Sequence, residues 1–198
     1  MTDTAWTKDI ITSPGELREL AGTPHEAVIK KSVATIDDHV RKYLSISPLF
    51  FLSTSGEQGR CDVSPRGDGP GFVKVLDDKH IIFPERPGNR RADSLLNILA
   101  NPHVGMLCII PGLKEVLRIN GQARITRNRK LLETMQWEGK TSGYGVIVKV
   151  EECFIHCPRA LNQAKVWQVE SWPAAEELPS MTDMFHAHLK MNGYLLKD

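Results

Sequence analysis

The chain has 198 residues, a net charge of +1 and 41% hydrophobic residues. This length suits a single domain with a substantial core, and the near-neutral charge argues against a general attraction to nucleic acid or a membrane surface. No apolar run approaches the roughly 20 residues of a membrane-spanning helix. The first residues lack the pattern of a secretion signal, and four cysteines do not make a disulfide framework. We therefore expect a cytoplasmic protein that forms one domain over residues 1–198.

Two helix-start signals open the chain. Ser13-Pro14-Gly15-Glu16 is typical of a capping box with proline in the first helical turn, and Gly22 predicts the end of that helix. Thr23-Pro24-His25-Glu26 repeats the signal, and apolar residues follow it at helical spacing. We predict a second helix that continues to about Ser47-Pro48. N-terminal helices over about residues 13–46 therefore precede the rest of the fold.

From Leu49 the pattern changes to short apolar or β-branched runs separated by Gly, Pro, Asp and Ser. Runs at this spacing favour an antiparallel barrel or sandwich. The predicted strands are Leu49–Thr54, Arg60–Pro65, Phe72–Leu76, His80–Phe83, Val104–Ile110, Glu115–Arg127 and Gly145–Val150, with an extended segment at Cys153–Cys157. Helices are predicted at about 91–100 and 128–136, and in a C-terminal helical segment over about 158–198, at Pro158–Lys165 and Thr182–Met191. The fold is therefore expected to be mainly β with helices packed around it.

Residues 83–94 are the most informative stretch, because they join an apolar strand to a predicted helix. Three arginines lie in this turn, at positions 86, 90 and 91, together with Asn89 and Ser94. Backbone N–H groups at a helix N-terminus, guanidinium groups and a hydroxyl together suit a phosphate. A solvated basic turn is the alternative, and this stretch alone favours neither.

A second Arg/Ser cluster closes one of the early strands, in Asp62-Val63-Ser64-Pro65-Arg66-Gly67-Asp68. Taken alone, this sequence is typical of a polar hairpin tip. Because the two clusters lie in adjacent β elements, we expect Ser64 and Arg66 to meet the same anion as Arg90 and Arg91.

Two further groups could contact a flat ligand. Arg118 and Asn120 share one face of a predicted strand and could hydrogen-bond a heterocycle, although the same pattern is typical of a solvent-exposed strand face. Trp167, near Arg159 and Lys165, could cover an aromatic ring, or could be a partly buried structural tryptophan.

Two other motifs are set aside. Cys153 and Cys157 lie on one strand face and His156 on the other, and no second cysteine pair completes a zinc site. Gly139-Lys140-Thr141 looks like the end of a phosphate-binding P-loop, but Thr134 stands where the motif requires its first glycine. We predict neither a metal site nor nucleotide hydrolysis.

Taken in chain order, these motifs resemble the pyridoxamine 5′-phosphate oxidase-related proteins, the split-barrel flavin binders, and more narrowly their FMN-dependent branch. The resemblance covers roughly residues 30–170. It is carried by Asp-Val-Ser-Pro-Arg-Gly-Asp, Gly-Phe-Val, Ile-Phe-Pro-Glu-Arg-Pro-Gly-Asn-Arg-Arg-Ala-Asp-Ser-Leu-Leu-Asn-Ile-Leu-Ala-Asn-Pro, Val-Gly-Met-Leu and Leu-Arg-Ile-Asn-Gly.

The resemblance implies a six-stranded antiparallel split β-barrel with flanking helices, in a homodimer that binds FMN at the subunit interface. It implies that the two Arg/Ser clusters hold the phosphate and that Phe83-Pro84 line the ring and the ribityl chain. Arg118 or Lys165 would place positive charge near the ring. The residues expected at the cofactor are Ser64, Pro65, Arg66, Phe83, Pro84, Arg86, Asn89, Arg90, Arg91, Ser94, Arg118, Asn120, Arg159, Lys165 and Trp167.

The function implied is that of an FMN-dependent oxidoreductase acting on a small molecule, with no side chain assigned as a catalytic acid or base. The true oxidases carry a C-terminal segment with Arg and His that grips the pyridoxal substrate, whereas this chain ends Gly-Tyr-Leu-Leu-Lys-Asp. Pyridoxamine phosphate is therefore not the expected substrate. Three alternatives stay open: a non-enzymatic flavin- or haem-binding protein, a deazaflavin-dependent reductase of the same fold, and a β-barrel interaction module.

Overall fold

A computed structural model describes residues 8–194, which form two compact units. The first unit comprises the described residues up to Cys157, and the second begins at Pro158, where the predicted C-terminal helical segment starts. Within residues 8–194, no helix has both the length and the apolar character needed to cross a bilayer. The N-terminus examined for a secretion signal, and the last four residues of the Gly-Tyr-Leu-Leu-Lys-Asp ending, lie outside the described residues.

The first unit is built on one sheet. Its strands are β1 Leu49–Ser55, β2 Cys61–Gly67, β3 Lys74–Val75, β4 His80–Pro84, β5 His103–Ile109, β6 Val116–Thr126 and β7 Gly145–His156. All neighbouring strands are antiparallel, in the order β2-β1-β5-β6-β7-β4-β3. The predicted mainly β antiparallel fold with flanking helices is confirmed. The expected count of six strands is wrong, because β3, a two-residue strand paired with β4, makes seven in an open sheet.

The last strand joins two segments that were predicted separately. Gly145–Val150 and the predicted extended segment, up to His156, form the single strand β7 because β6 pairs with both of them across an irregularity in register at Asn120/Gly121, and Cys157 follows the strand. Gly121 permits this bulge, since a Cβ atom at that position would overlap the Lys149 carbonyl oxygen.

The helix α1, Pro14–Ala21, begins as predicted, with the Ser13 hydroxyl accepting a hydrogen bond from the Glu16 N–H at 3.2 Å. The predicted long second helix is wrong, because two shorter helices occupy its span. These are α2, Glu26–Lys30, and α3, Asp38–Ile46.

A β-bridge interrupts the helical pattern between α2 and α3. The backbone N–H and carbonyl of Val33 pair with Cys153 of β7, at 3.0 and 2.7 Å. The helix α3 then begins at Asp38 and is capped by Asp37, whose side chain accepts a hydrogen bond from the Val40 N–H at 2.8 Å. The helical spacing of apolar residues therefore continues across a segment that is not helical.

The remaining helices flank the sheet or belong to the second unit. In the first unit, α4 spans Asp93–Ala100 and α5 spans Arg129–Glu133. In the second, α6 spans Arg159–Gln163 and α7 spans Met181–Met191, with short 3-10 turns at Val169–Ser171 and Ala175–Glu177 between them.

The core lies on the inner face of the sheet and fixes the positions of β2, β4 and α4 relative to one another. Phe50 and Phe83 are fully buried and meet edge to face, with ring centroids 4.9 Å apart. Leu95 and Ile98 anchor α4 in the same cluster. Because β4 is buried on both faces, Ile82 packs on its other side, with Leu132 and Met135. This packing brings the ends of β2 and β4 to the start of α4.

Candidate functional site

A cavity of about 940 Å³ opens where the ends of β2 and β4 meet the start of α4. The two Arg/Ser motifs predicted from the sequence both line it. The predicted site residues that the cavity brings together are Ser64, Pro65, Arg66, Pro84, Arg86, Asn89, Arg90, Arg91 and Ser94. That these residues bind a cofactor stays a prediction.

Ser94 ties the start of α4 to the inner face of β2. Asp62, Ser64 and Arg66 alternate along β2 and point toward that helix. The Ser94 hydroxyl donates to Asp62 Oδ2 at 2.6 Å and accepts from Arg66 Nη2 at 3.1 Å, and it lies 3.0 Å from the Ser64 hydroxyl. Since Ser94 is only 3% exposed, its contacts are satisfied within the protein and its role is to orient the helix start.

Arg66 also pairs with Glu85, the residue that follows β4. Its Nη1 donates to Glu85 Oε1, and the two side chains are 20% and 13% exposed. Arg66 Nε and Glu85 Oε2 are buried without a hydrogen-bond partner. The pair therefore joins the ends of two strands, and one nitrogen and one oxygen of the pair remain without a hydrogen-bond partner beside the cavity.

Arg86 contacts protein through each of its three guanidinium nitrogens. Nε donates to Asp68 Oδ2 at 2.6 Å, Nη1 to the Ser142 hydroxyl at 3.0 Å and Nη2 to the Met135 carbonyl at 2.9 Å. The Asp68 side chain is 4% exposed. Arg86 thus links the end of β2 to the segment that follows α5.

The start of α4 has a strained backbone and no side-chain cap. Arg90 and Ala92 have φ angles of 63° and 57°, in the left-handed region that costs a non-glycine residue about 1 kcal/mol or more. Asn89 accepts the Arg91 N–H at 3.0 Å, but no side chain caps the helix at Ala92. The first-turn N–H groups of α4 therefore have no capping side chain, and the residues that carry them line the cavity.

Opposite charges on the cavity wall nearly balance. Arg91 forms a surface pair with Asp93, which a competing anion could replace at little cost. Within residues 8–194, the side chains of Arg90 and Lys140 have no carboxylate partner. The carboxylates of the lining are Asp62, Glu85, Asp93 and Glu138. An anion would therefore be held by local donors and not by a general positive field.

Residues 137–144, which we call the wall segment, form a side of the cavity that the sequence did not predict. Trp137 and Lys140 exchange backbone hydrogen bonds of 3.0 and 2.9 Å across a two-residue turn. Both central residues, Glu138 and Gly139, have positive φ, as a type I′ turn requires. From the sequence, Gly139-Lys140-Thr141 is interpreted only as an incomplete P-loop motif. The aromatic residues at both ends, Trp137 and Tyr144, were the available signal.

Three predicted site residues of the first unit lie away from the cavity lining. Phe83 is fully buried in the core. Arg118 and Asn120 lie on the outer face of β6, where the Arg118 guanidinium is 5.5 Å from the Phe154 ring centroid. Asn120 donates to Glu152 Oε2 at 2.5 Å.

The remaining predicted residues, Arg159, Lys165 and Trp167, belong to the second unit, so their relation to the cavity stays a prediction. Arg159 begins α6, and Lys165 has a φ of 51°. In the cysteine segment, Cys153 is buried and Cys157 exposed. In the part of the chain that the structure describes, no three His, Cys, Asp or Glu side chains are grouped to hold a metal ion.

Comparison with known proteins decides the family. The family model described as pyridoxamine 5′-phosphate oxidase matches residues 36–172, which is more than half of the chain. The chain belongs to the pyridoxamine 5′-phosphate oxidase family. The resemblance inferred from the sequence motifs is thereby confirmed.

Several solved structures are similar to this family member at low sequence identity. HupZ from Group A Streptococcus is 18% identical, with a TM-score of 0.50 over 61% of this chain and 93% of HupZ. General stress protein 26 from Bacillus anthracis is 15% identical, with a TM-score of 0.43 over 59% and 93% of the two chains. HutZ, the heme storage protein from Vibrio cholerae, is 14% identical, with a TM-score of 0.41 over 62% and 94%. No curated protein matches the chain.

Proposed function

We propose that this member of the pyridoxamine 5′-phosphate oxidase family is an FMN-dependent oxidoreductase that acts on a small molecule. The observation that carries the proposal is the start of α4. It is uncapped, its backbone is left-handed at Arg90 and Ala92, and it opens on a cavity of about 940 Å³. Strained backbone at a cavity is typical of a ligand site, and an uncapped helix N-terminus suits a phosphate.

The phosphate would lie against the first turn of α4. Arg90, which has no side-chain partner within residues 8–194, would donate to it, and Arg91 would exchange its surface pair with Asp93 for the phosphate. Ser94 and Arg66 would support this site from behind, because their hydrogen bonds already hold the helix start against β2.

The flat part of the cofactor would occupy the rest of the cavity, beside Pro65, Pro84 and Trp137. When bound, FMN would supply hydride or electron transfer, and the protein would supply binding and orientation. These apolar side chains would exclude water from one face of the ring. The described cavity lining presents no histidine, so no proton donor of that kind is assigned.

We propose that two copies pair through the outer face of the sheet. Phe51, Leu107, Arg118 and Phe154 are direct cross-strand neighbours and share that face, and Phe51 also pairs with Pro65 at the cavity. Phe51 is 38% exposed, so apolar surface is available for a subunit contact. Pairing there would let Arg118 and Asn120 of one copy approach the cofactor of the other. Arg159, Lys165 and Trp167 remain proposed contacts of the ring.

Haem fits the cavity less well than FMN. Haem iron is held in proteins by histidine, cysteine, methionine or tyrosine. Among the described residues that line the cavity, only Tyr144 could serve, with no histidine, cysteine or methionine beside it. One tyrosine, Tyr144, is not enough to support a haem-storage role for this chain.

The spectrum of the purified protein tests the proposal. We expect a yellow protein, or a colourless one that takes up about one FMN per chain, and identification of FMN as the compound released on denaturation. Oxidation of NADH or NADPH by the loaded protein would support an oxidoreductase. Release of haem, tighter binding of a deazaflavin than of FMN, or a folded protein without flavin affinity would overturn the assignment.

A further inference from the structure

Arg86 lines the cavity, yet its guanidinium group is hydrogen-bonded to other residues of the protein. Each guanidinium nitrogen has a protein partner at 3.0 Å or less: Asp68, Ser142 and the Met135 carbonyl. Arg86 is therefore poorly placed to bind a phosphate of its own, in contrast to Arg90. What it does hold is the wall segment, through Ser142 inside that segment and Met135 just before it.

Asp68 connects this arrangement to the ring of Trp137. Its Oδ2 accepts from Arg86, and its Oδ1 accepts the Gly69 N–H at 2.7 Å. The Trp137 ring packs directly on Gly69, because a Cβ atom added to Gly69 would lie only 3.1 Å from the ring. The same carboxylate thus fixes both Arg86 and the backbone on which Trp137 rests.

This ion pair is well suited to a positioning role. Asp68 and Arg86 side chains are 4% and 25% exposed, so their bond is shielded from solvent. Trp137 itself is 49% exposed, and its position in the cavity lining leaves a face available to a ligand. An indole face is a stacking surface for a flat aromatic ring.

We propose that Trp137 contacts the ring of the ligand bound in the cavity, and that Arg86 is a positioning residue that holds Trp137 there without touching the ligand. With FMN as the ligand this inference rests on the proposed function. The effect of Arg86 on Trp137 in the ligand-free chain can be measured whether or not FMN is the ligand.

Tryptophan accessibility tests the positioning directly. Acrylamide quenching is measured on the ligand-free chain and on Trp137→Phe, and the difference isolates Trp137 from the other tryptophans. Arg86→Lys keeps the charge but loses the planar fork, so we expect about a twofold rise in quenching of Trp137. Arg129→Lys is the matched control, because Arg129 pairs with Glu133 on an exposed helix face and should leave quenching unchanged.

A double-variant cycle then separates positioning from direct contact. We expect Trp137→Ala and Arg86→Lys each to raise the Kd for FMN about tenfold, and the double variant to be no weaker than Trp137→Ala alone. If Arg86 bound FMN itself, the two effects would multiply to about a hundredfold, which would overturn the positioning role. An unchanged Kd in Trp137→Ala would overturn the ring contact.

A milder variant covers the case in which Arg86→Lys does not fold. Ser142→Ala removes one of the three hydrogen bonds and leaves the Asp68 pair intact. It should raise Trp137 quenching and the Kd in the same direction, by about twofold to threefold, and no change in either would contradict the inference. Failure of the unaltered chain to bind FMN would instead contradict the proposed function, while the quenching result would still decide whether Arg86 positions Trp137.

Discussion

Arg66 at the end of β2 and Glu85 just after β4 form a largely buried pair in which each side chain keeps one buried atom without a partner. The pair fastens the two strand ends that frame the cavity. Arg66, which the sequence predicts to bind a phosphate, is thus hydrogen-bonded to the Glu85 carboxylate and to Ser94.

The Arg66–Glu85 pair should stabilise the fold cooperatively. Arg66→Ala leaves a buried carboxylate unpaired, so we expect the free energy of unfolding to fall by about 2–3 kcal/mol. The double variant Arg66→Ala/Glu85→Ala should lose less than the sum of the single variants. Urea unfolding measures this, with Arg129→Ala as an exposed-pair control expected to change stability by less than about 1 kcal/mol. Strict additivity of the Arg66 and Glu85 effects would show that the two side chains do not stabilise the fold as a pair.

Tyr43 should make the fold sensitive to alkaline pH. Burial raises the pKa of its phenol to about 12, and the hydroxyl donates to the carbonyls of Cys108 at 3.0 Å and Glu115 at 3.2 Å. The folded chain keeps the proton that the unfolded chain loses near pH 10. Its contribution is therefore complete below pH 10 and is lost as the pH rises from 10 to 12, by about 2–3 kcal/mol.

Tyr43→Phe provides the comparison for that prediction. Burial also raises the pKa of the Cys153 thiol to about 12, so the unaltered chain contains more than one alkaline transition. The difference in unfolding free energy between the two chains, measured by urea at pH 9 to 12, isolates the phenol. A difference that does not shrink as the pH rises would contradict the assignment.

Assembly should depend on the outer face of the sheet. Phe51→Glu places a charge in the proposed subunit contact without entering the core, so we expect a folded monomer with reduced FMN affinity. Light scattering on the eluted peak reports the mass, which is 22.2 kDa for one chain. Leu99→Glu, at an exposed position of α4, is the control and should leave a dimer. A monomeric unaltered chain, or a dimeric Phe51→Glu variant, would refute this contact.

Local patterns were enough to predict much of the site. The Ser-Pro-Arg-Gly motif at the end of an early strand predicted that Ser64 and Arg66 lie near the second arginine cluster, and the Pro/Gly turn before α4 indicated a helix start rich in arginine. These features depend only on residues that are close in sequence, so they can be predicted before the fold is known. The antiparallel pairing and the flanking helices followed from the same kind of pattern.

Contacts between distant segments decided the rest. The break between α2 and α3 depends on the pairing of Val33 with Cys153, which no local spacing reveals. The family resemblance predicts that Phe83 lines the ring of the cofactor, whereas the pairing of β4 within the sheet leaves its side chain fully buried in the core. The wall segment contacts residues far away in sequence, through the hydrogen bond between Arg86 and Ser142 and the packing of Trp137 on Gly69, and no local pattern reveals these contacts.

The proposed binding of the FMN phosphate at the start of α4 is tested by measuring the affinities of the chain for FMN and for riboflavin. Riboflavin lacks the phosphate, so the ratio of the two affinities isolates the phosphate contacts. In Arg90→Ala/Arg91→Ala we expect FMN affinity to fall about a hundredfold, from two lost charge-assisted bonds, while riboflavin affinity stays within about threefold.

Arg124→Ala/Arg127→Ala is the matched control, because it removes two exposed arginines that do not line the cavity. Both of its affinities should equal those of the unaltered chain. We expect that only the Arg90/Arg91 variant loses the preference for FMN over riboflavin. If that variant keeps its full FMN affinity, or loses riboflavin affinity to the same extent, the phosphate of FMN does not bind at the start of α4.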